Sequence, residues 1–324
     1  MTIIEQATKR LEELTRAGVA VPWAAAGLPN GVPHPAGGVQ CVVSEPTPHL
    51  AVRAAESMKL SPVPAAPAAF VSSGGESTDS AGAPNDGPQV TLDLERLERL
   101  GHLIPTQVRT PLAEEFRQIK RPLLRNARAK DAAQRRQSLI MVTSSLPGEG
   151  KTFCAINLAM SLSIEIDTSV LLVDADVVRP EVLQRLGVPP QRGLLDLLTD
   201  PTLRLSDVVL KTNVPKLSIL PSGARHQMST ELLASEAMGS LLQTLAEGSS
   251  NQIVIFDSPP MLVTTEAKVL AQRLGQVVLV VEASGTPRSA VMQAFAAVEQ
   301  CAVVMSVMNK SRVPAGPGYG DYYG

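Results

Sequence analysis

This sequence contains few cysteines and few aromatic residues, and its positive and negative charges nearly balance. Its three cysteines, Cys41, Cys154 and Cys301, lie far apart, which excludes a disulfide framework and a paired-cysteine zinc site and favours a reducing compartment. Lysine and arginine number 29 against 31 acidic residues, a formal charge of -2, so no overall positive field exists to attract a nucleic acid. No apolar run approaches the roughly 18 residues of a membrane span, and no signal-peptide pattern opens the chain. We therefore expect a cytoplasmic protein that does not bind nucleic acid.

Hydrophobic side chains, by contrast, make up 44% of the 324 residues, which is enough to bury a substantial core. Residues 1–18 carry apolar side chains at spacings of three and four, which predicts an amphipathic helix. Residues 19–89 are rich in Ala, Pro, Gly and Ser and predict a disordered linker. We expect one ordered domain over 90–311 and a flexible tail over 312–324.

After Arg136, short apolar runs rich in β-branched residues alternate with helical patterns. Near-continuous apolar strands separated by helices are typical of a parallel sheet that is covered on both faces. The sequence therefore predicts a doubly wound α/β domain with its ligand at the carboxyl ends of the strands. The predicted strands are SLIMVTS, SVLLVD, KLSIL, QIVIFD, QVVLVVE and AVVMSVM.

The segment SSLPGEGKT at 144–152 joins the first of these strands to a helical pattern. Its last three residues match the P-loop template G-x-x-x-x-G-K-[ST], although Ser145 replaces the first glycine of that template. Such a loop holds phosphates through backbone N–H groups at a helix N-terminus, with its lysine on the phosphates and its threonine on Mg²⁺. The predicted nucleotide-binding residues here are Ser145, Pro147, Gly148, Glu149, Gly150, Lys151, Thr152 and Phe153.

Carboxylates follow two other predicted strands. Asp174 and Asp176 emerge at the end of the run VLLVD and point the same way, so that their charges would repel without a cation between them. Asp257 ends the run IVIF, which is the Walker B arrangement for holding the water shell of a metal. We predict a Mg²⁺ site made by Thr152, Asp176 and Asp257.

Asn309 stands at the end of the last predicted strand and is a further candidate nucleotide contact. An amide at this edge of the sheet can read the adenine base, or it can cap a loop. The sequence leaves both interpretations open.

The segment PLAEEFRQIKRPLLRNARAK at 111–130 predicts a helix with one apolar and one basic face. The apolar face is expected to contain Phe116, Ile119, Leu123 and Leu124. The basic face is compatible with plain solvation or with an interaction surface.

All three tyrosines of the chain, Tyr319, Tyr322 and Tyr323, lie within its last six residues. Random placement would produce this on the order of a few times in a million. Flanking glycines and prolines disfavour a packed core, so we expect the rings to be presented to an active site. The ten residues from Asn309 to Tyr319 span at most about 35 Å, enough to reach the nucleotide of a neighbouring protomer.

A P-loop, a hydrophobic-DxD run and a hydrophobic-DxxP run within about 110 residues resemble the bacterial tyrosine kinases that control capsular and exopolysaccharide export. The resemblance covers most of residues 91–324 and includes ELLAS at 231–235 and VMNK at 307–310. Three segments are more specifically similar to the tyrosine autokinases found beside exosortase loci: IIEQATKRLEEL, LDLERLERLG and EEFRQIKRPLLRN.

The resemblance implies an ATP-dependent tyrosine kinase that phosphorylates its own C-terminal tyrosines, in trans, to regulate exopolysaccharide polymerisation and export. Lys151 and Thr152 would bind ATP and Mg²⁺. Asp174 and Asp176 would form the Walker A′ pair, with Asp174 orienting or deprotonating the tyrosine hydroxyl. Asp257 would be the Walker B acid.

The resemblance also implies partners: a second copy of the chain in a ring, a membrane polysaccharide co-polymerase that activates the kinase, and a cognate phosphatase. The chain would thus be held peripherally at the inner membrane. The family's oligomerisation motif E-x-x-R-x-x-R appears as Glu114, Arg117 and Lys120, and lysine lacks the bidentate fork of arginine. The family's DxDxR arginine is replaced by Val178, with Arg179 next to it.

Two other functions stay open. A positioning or partition ATPase shares the predicted fold, although such enzymes carry a signature lysine where this chain has Leu146 and lack a tyrosine tail. A nucleotide-binding scaffold without catalysis would follow if Val178 marks a decayed site. The intact P-loop lysine and the three strand-end aspartates favour the kinase.

Overall fold

A computed structural model describes the chain over residues 38–42, 87–107, 109–128, 132–249 and 251–311. The predicted N-terminal helix, the tyrosine tail and most of the predicted linker lie outside the described residues.

Strands and helices alternate along most of the described chain. The strands are β1 (Gly38–Val42), β2 (Gln89–Val90), β3 (Leu139–Ser144), β4 (Ser169–Asp174), β5 (Leu210–Thr212), β6 (Leu217–Leu220), β7 (Gln252–Asp257), β8 (Gln276–Glu282) and β9 (Val303–Ser311). The helices are α1 (Leu94–Arg99), α2 (Pro111–Ala127), α3 (Lys151–Ser163), α4 (Val182–Leu186), α5 (Leu194–Thr199), α6 (Leu205–Val208), α7 (Ser229–Ala234), α8 (Glu236–Glu247), α9 (Thr265–Ala271) and α10 (Arg288–Ala297), and a 3₁₀ helix spans Ala132–Ser138.

In the described part of the chain these strands form one nine-stranded sheet, in the order β1-β9-β8-β3-β7-β4-β6-β5-β2. The six strands from β9 to β6 in this order are mutually parallel and are the six that the sequence predicted. The predicted doubly wound α/β fold is therefore confirmed. Antiparallel strands flank this block, β1 beside β9 and β5 beside β6, and β1 lies inside the segment that was predicted as linker.

Side-chain alternation along the strands divides the interior into two cores, one on each face of the sheet. Ile140 and Val142 of β3 point into one core, and Leu139 and Met141 point into the other. Since both faces are covered, the parallel strands are apolar at nearly every position. Because these six strands are parallel, their carboxyl ends meet at a single edge of the sheet, where polar side chains can collect.

Helix α2 covers one of these cores beside α3. The Thr110 hydroxyl accepts a hydrogen bond from the N–H of Ala113 over 3.1 Å, and Pro111 occupies the first turn, where it costs no hydrogen bond. Phe116, Ile119 and Leu123 are fully buried on its inner face, as their spacing predicted.

Among the described residues, no helix combines the length and apolarity that a membrane crossing needs.

Candidate active site

The P-loop connects β3 to α3 through two glycines with left-handed backbone. Gly148 has φ of 87° and Gly150 has φ of 98°, a conformation that favours glycine over all other residues. A Cβ added to Gly150 would lie 2.0 Å from Nδ2 of Asn309, so the close approach of β9 also requires glycine there. The turn directs the N-terminus of α3 toward the carboxyl edge of the sheet, where backbone N–H groups can receive an anion.

Lys151, the first residue of α3, binds two of the predicted carboxylates. Its Nζ lies 2.7 Å from Oδ2 of Asp176 and 3.7 Å from Oδ1 of Asp257. Burial alone would lower the pKa of Lys151, but the two carboxylates outweigh it and raise that pKa. The ammonium therefore stays charged, and a phosphate could compete with the carboxylates for it.

The three aspartates come together because β4 and β7 are neighbours in the sheet, and β3, which leads into the P-loop, lies on the other side of β7. Asp174 and Asp257 are directly paired across β4 and β7, and the N–H of Ala175 donates to the carbonyl oxygen of Asp257 over 2.8 Å. All three carboxylates are buried. The structure thus assembles at one edge the P-loop and the acids that the sequence placed after separate strands.

Several polar atoms at this edge make no hydrogen bond with any described residue although they are buried. They are Oδ1 of Asp174, both carboxylate oxygens of Asp257 and Oγ of Ser145. Burial, followed by the charge of Asp257, raises the pKa of Asp174 well above its ordinary value. Burial also raises the pKa of Asp257, against the opposing charge of Lys151. The carboxylate oxygens are suited to a cation or to the proton of an acceptor hydroxyl, whereas the Ser145 hydroxyl can donate to a phosphate oxygen.

The described residues contain no cluster of three or more His, Cys, Asp or Glu in metal-binding geometry. This still fits the predicted Mg²⁺ ligands, which comprise only two carboxylates, of Asp176 and Asp257, and the hydroxyl of Thr152. Mg²⁺ usually keeps several waters and takes one or two carboxylates together with phosphate oxygens. The Asp257 oxygens, which accept no hydrogen bond from a described residue, are the kind of oxygen ligand that such an ion requires.

Both oxygens of Asp176 have partners, since Oδ1 accepts from the N–H of Arg179 over 3.0 Å and Oδ2 accepts from Lys151. Val178, which lies in sequence between Asp176 and Arg179, is 43% exposed and occupies the position where the family that the sequence resembles has arginine. The Arg179 side chain is also exposed. The neighbouring arginine therefore contributes its backbone to the site.

The last strand and the loop after β8 support the P-loop through three side chains, of which the sequence singled out only Asn309. Nδ2 of Asn309 donates to the carbonyl oxygen of Glu149 over 2.8 Å, and Nζ of Lys310 donates to that of Gly148 over 2.8 Å. Thr286, in the loop after β8, donates to the Glu149 carboxylate. The Asn309 contact is the one that the loop-capping alternative describes, while its contact with a base stays a prediction. Only the rule that ligands collect at strand ends could have indicated Thr286 and Lys310.

The predicted oligomerisation residues lie on α2. Glu114 and Arg117 form an ion pair with each other on the same helix. Lys120 is buried, and its Nζ binds the carbonyl oxygen of Ser161 and the carboxylate of Glu165, each over 2.7 Å. The Lys120 ammonium is thus used inside the protein, and a role for these residues between protomers stays a prediction.

Comparisons with known proteins identify relatives of this chain. A family model described as an AAA domain matches residues 137–301. The tyrosine-protein kinase YwqD of Bacillus subtilis (strain 168) is 30% identical over 195 residues, which cover 60% of this chain and 80% of YwqD. The succinoglycan biosynthesis transport protein ExoP of Rhizobium meliloti (strain 1021) is 31% identical over 199 residues, which cover 60% of this chain and 24% of ExoP. The solved BceF tyrosine kinase domain is similar with a TM-score of 0.53 and 25% identity, covering 69% of this chain and 92% of that domain.

Proposed function

The chain belongs to the bacterial tyrosine-protein kinases, and on this premise we propose that it transfers the γ-phosphoryl group of ATP to the tyrosines of its own C-terminal tail. One observation carries the proposal. Asn309 and Lys310, near the end of β9, bind the P-loop directly, and the tail begins right after Ser311. The acceptor segment therefore leaves the described domain beside the proposed donor site.

The length of the tail supports this arrangement. Tyr319 follows Ser311 by eight residues, which reach at most about 28 Å, and Tyr323 follows it by twelve, which reach at most about 42 Å. Both lengths allow a tyrosine to reach the P-loop of the same copy, which Lys310 already contacts.

The residues of the site have separable tasks in this reaction. Bound Mg²⁺, held by Thr152, Asp176 and Asp257, would supply neutralisation of charge on the phosphates. The loop N–H groups and Lys151 orient and neutralise the transferred group, which is most of what a loose phosphoryl-transfer transition state requires. Lys151 exchanges its present carboxylate partners for phosphate oxygens.

Asp174 has the chemistry to receive the phenolic proton. Its Oδ1 is buried and makes no hydrogen bond with a described residue, while its Oδ2 accepts from the N–H of Val182 over 3.1 Å, which fixes the carboxyl group. An ordinary carboxylate has a pKa near 4 and a phenol one near 10, a large mismatch for proton transfer. The raised pKa of Asp174 narrows that mismatch and makes it a stronger acceptor.

We propose that transfer takes place between copies in a homo-oligomeric ring. A mixing experiment tests this. A size-tagged chain carrying Lys151→Met keeps its tyrosines but loses the lysine, and an untagged chain carrying Phe at positions 319, 322 and 323 keeps the lysine but loses the acceptors. Label from ATP on the tagged chain supports transfer between copies. A tagged chain that stays unlabelled in the mixture, together with labelling of wild type assayed alone at a rate independent of protein concentration, would show transfer within one copy.

The biological context is proposed from the relatives of this chain. ExoP is named for succinoglycan biosynthesis, and this supports a role in regulating exopolysaccharide polymerisation and export. The chain would be cytoplasmic and held at the inner membrane by a co-polymerase that activates it, and a cognate phosphatase would reverse the modification. A polymer yield that is unchanged by Lys151→Met in the producing cell would overturn this role.

The activity itself is tested with ATP labelled on its γ-phosphoryl group. Wild type should retain label on protein, whereas Lys151→Met and the chain with all three tyrosines replaced by Phe should retain none. Released phosphate without labelled protein would instead indicate a switch ATPase. Bound nucleotide with neither product would indicate a scaffold.

A further inference from the structure

A basic groove lies on α2, separate from the P-loop. It has a volume of about 540 Å³, and five of its seven lining residues are cationic. We call it the α2 groove; it is lined by Arg117, Lys120, Arg121, Leu124, Arg125, Arg128 and Glu165. A concave surface with this many cationic side chains is unusual in a chain whose formal charge is -2.

Three of these side chains carry a charge that no acidic side chain in the described ranges neutralises. Arg121, Arg125 and Arg128 are exposed and follow each other at spacings of four and three, so they lie along one side of the helix. None of the three forms an ion pair with any residue in the described ranges. Three adjacent guanidinium groups repel one another unless an anion lies among them.

The remaining charges of the groove are already balanced. Lys120 is buried and neutralises both Glu165 and the negative end of α3, where it binds the carbonyl oxygen of Ser161. Arg117 pairs with Glu114. The floor of the groove is thus a fixed, neutral pair, and its free charge belongs to the three exposed arginines.

This chemistry matches a phosphate monoester. Guanidinium groups donate parallel hydrogen bonds to phosphate oxygens, and a phosphotyrosine carries about -1.5 to -2 charges at neutral pH. A flat anionic membrane would need a convex or planar basic surface, whereas the α2 groove is concave. We propose that the α2 groove binds the phosphorylated C-terminal tail, residues 312–324, of this chain, an inference that rests on the proposed autophosphorylation.

The chain provides both the charge and the length for this occupant. The tail holds Tyr319, Tyr322 and Tyr323 together with Asp321, so full phosphorylation would concentrate negative charge within a few residues. The groove lies at the C-terminal end of α3, whose 13 residues span about 20 Å from the P-loop. From Ser311 to Tyr322 the chain can extend by at most about 39 Å, so the tail of the same copy or of a neighbour can reach it.

Binding of a synthetic tail peptide tests the proposal without relying on the kinase activity. The peptide comprises residues 312–324 with a fluorescent label and is made with three phosphotyrosines or with none. The protein is the full chain with Phe at positions 319, 322 and 323, which cannot label itself. Fluorescence anisotropy should show the phosphorylated peptide binding at least about 10-fold more tightly than the unmodified one, as expected for added charge-assisted hydrogen bonds.

Substitutions localise the binding. Arg121→Gln combined with Arg125→Gln should weaken the phosphopeptide at least about 10-fold, whereas Arg225→Gln, which removes one exposed charge outside the groove, should leave it within about twofold. Equal affinity for both peptides, or equal affinity of the double variant and the control, would overturn the proposal. A further assay uses vesicles of phosphatidylserine and phosphatidylcholine. If the protein binds these vesicles through Arg121 and Arg125 but does not bind the phosphopeptide, the proposal is overturned and the groove is a membrane-binding surface.

The two proposals fail separately in these assays. If the phosphopeptide does not bind but the protein is labelled from ATP, the proposed role of the α2 groove is overturned and the proposed kinase reaction stands. If the phosphopeptide binds but the protein is not labelled from ATP, the proposed autophosphorylation is overturned and the α2 groove stands as a phosphotyrosine-binding site.

Discussion

The Asn309 amide donates a hydrogen bond over 2.8 Å to the carbonyl oxygen of Glu149, a residue 160 positions earlier in the chain. This bond ties the last strand to the phosphate loop. A Cβ at Gly150 would lie 2.0 Å from the same amide nitrogen, so a side chain there would displace Asn309 from the loop. The strand that leads into the tyrosine tail is therefore part of the candidate nucleotide site.

Replacing Asn309 by Ala should weaken nucleotide binding roughly 10-fold, because one buried hydrogen bond to the loop is lost and the loop becomes less well ordered. The loss should be equal for ADP and GDP, measured by titration calorimetry. Gln243→Ala, which removes an amide from an exposed helix position, provides the control. A loss confined to ADP would contradict the loop-supporting role and indicate that Asn309 reads the base.

Replacing Asp174 by Asn should separate chemistry from binding. The amide keeps the size of the side chain but cannot accept the phenolic proton, so the rate of tyrosine phosphorylation should fall about 10²- to 10⁴-fold. ADP affinity should change little, because Lys151 binds the carboxylates of Asp176 and Asp257 instead. Equal losses in rate and in ADP affinity would show that Asp174 acts in binding.

His102 should make the stability of the domain depend on pH. Burial, assisted by the charge of Arg185, lowers the pKa of His102 to about 4, against an ordinary value of 6.5. Between these values the unfolded chain binds more protons than the folded one, so the free energy of unfolding falls as the pH drops from 6.5 to 4. The contribution of this side chain amounts to up to about 3 kcal/mol.

Denaturant unfolding at pH 7 and pH 4.5 measures this effect. The variant His102→Gln should lose less stability than wild type over that interval, because glutamine does not titrate. Parallel losses in both proteins would show that His102 does not contribute.

Two basic residues next to each other on α2 should differ in their effect on stability. Lys120→Ala leaves Glu165 and the Ser161 carbonyl oxygen without their buried partner and should cost about 1–3 kcal/mol of unfolding free energy. Arg121→Ala removes an exposed, unpaired side chain and should change stability by less than about 0.5 kcal/mol. Similar costs for the two variants would refute the structural role of Lys120.

Much of the fold could be predicted from the sequence because its signals are local. Each run of apolar residues from β3 to β9 that was predicted as a strand is a strand, and the P-loop and the strand-end aspartates follow from the chain order of those runs. Parallel strands bring their carboxyl ends to one edge, which was sufficient to expect Asp174, Asp176 and Asp257 together.

Contacts between distant segments could not be predicted. The pairing of β1 with β9 joins a segment of linker-like composition to the last strand, and composition carries no information on such a partner. Lys120 belongs to a motif read as intermolecular, yet its ammonium lies against the end of α3, a contact that depends on how α2 packs. Thr286 and Lys310 reach the P-loop by the same kind of long-range packing.

Tandem mass spectrometry of the C-terminal peptide after incubation with ATP and Mg²⁺ tests the central claim most directly. Wild type should carry phosphate on Tyr319, Tyr322 or Tyr323, and Lys151→Met, treated identically, should carry none. A tail that stays unmodified in wild type, while calorimetry shows the site filled with nucleotide and the activating partner is present, would contradict the account.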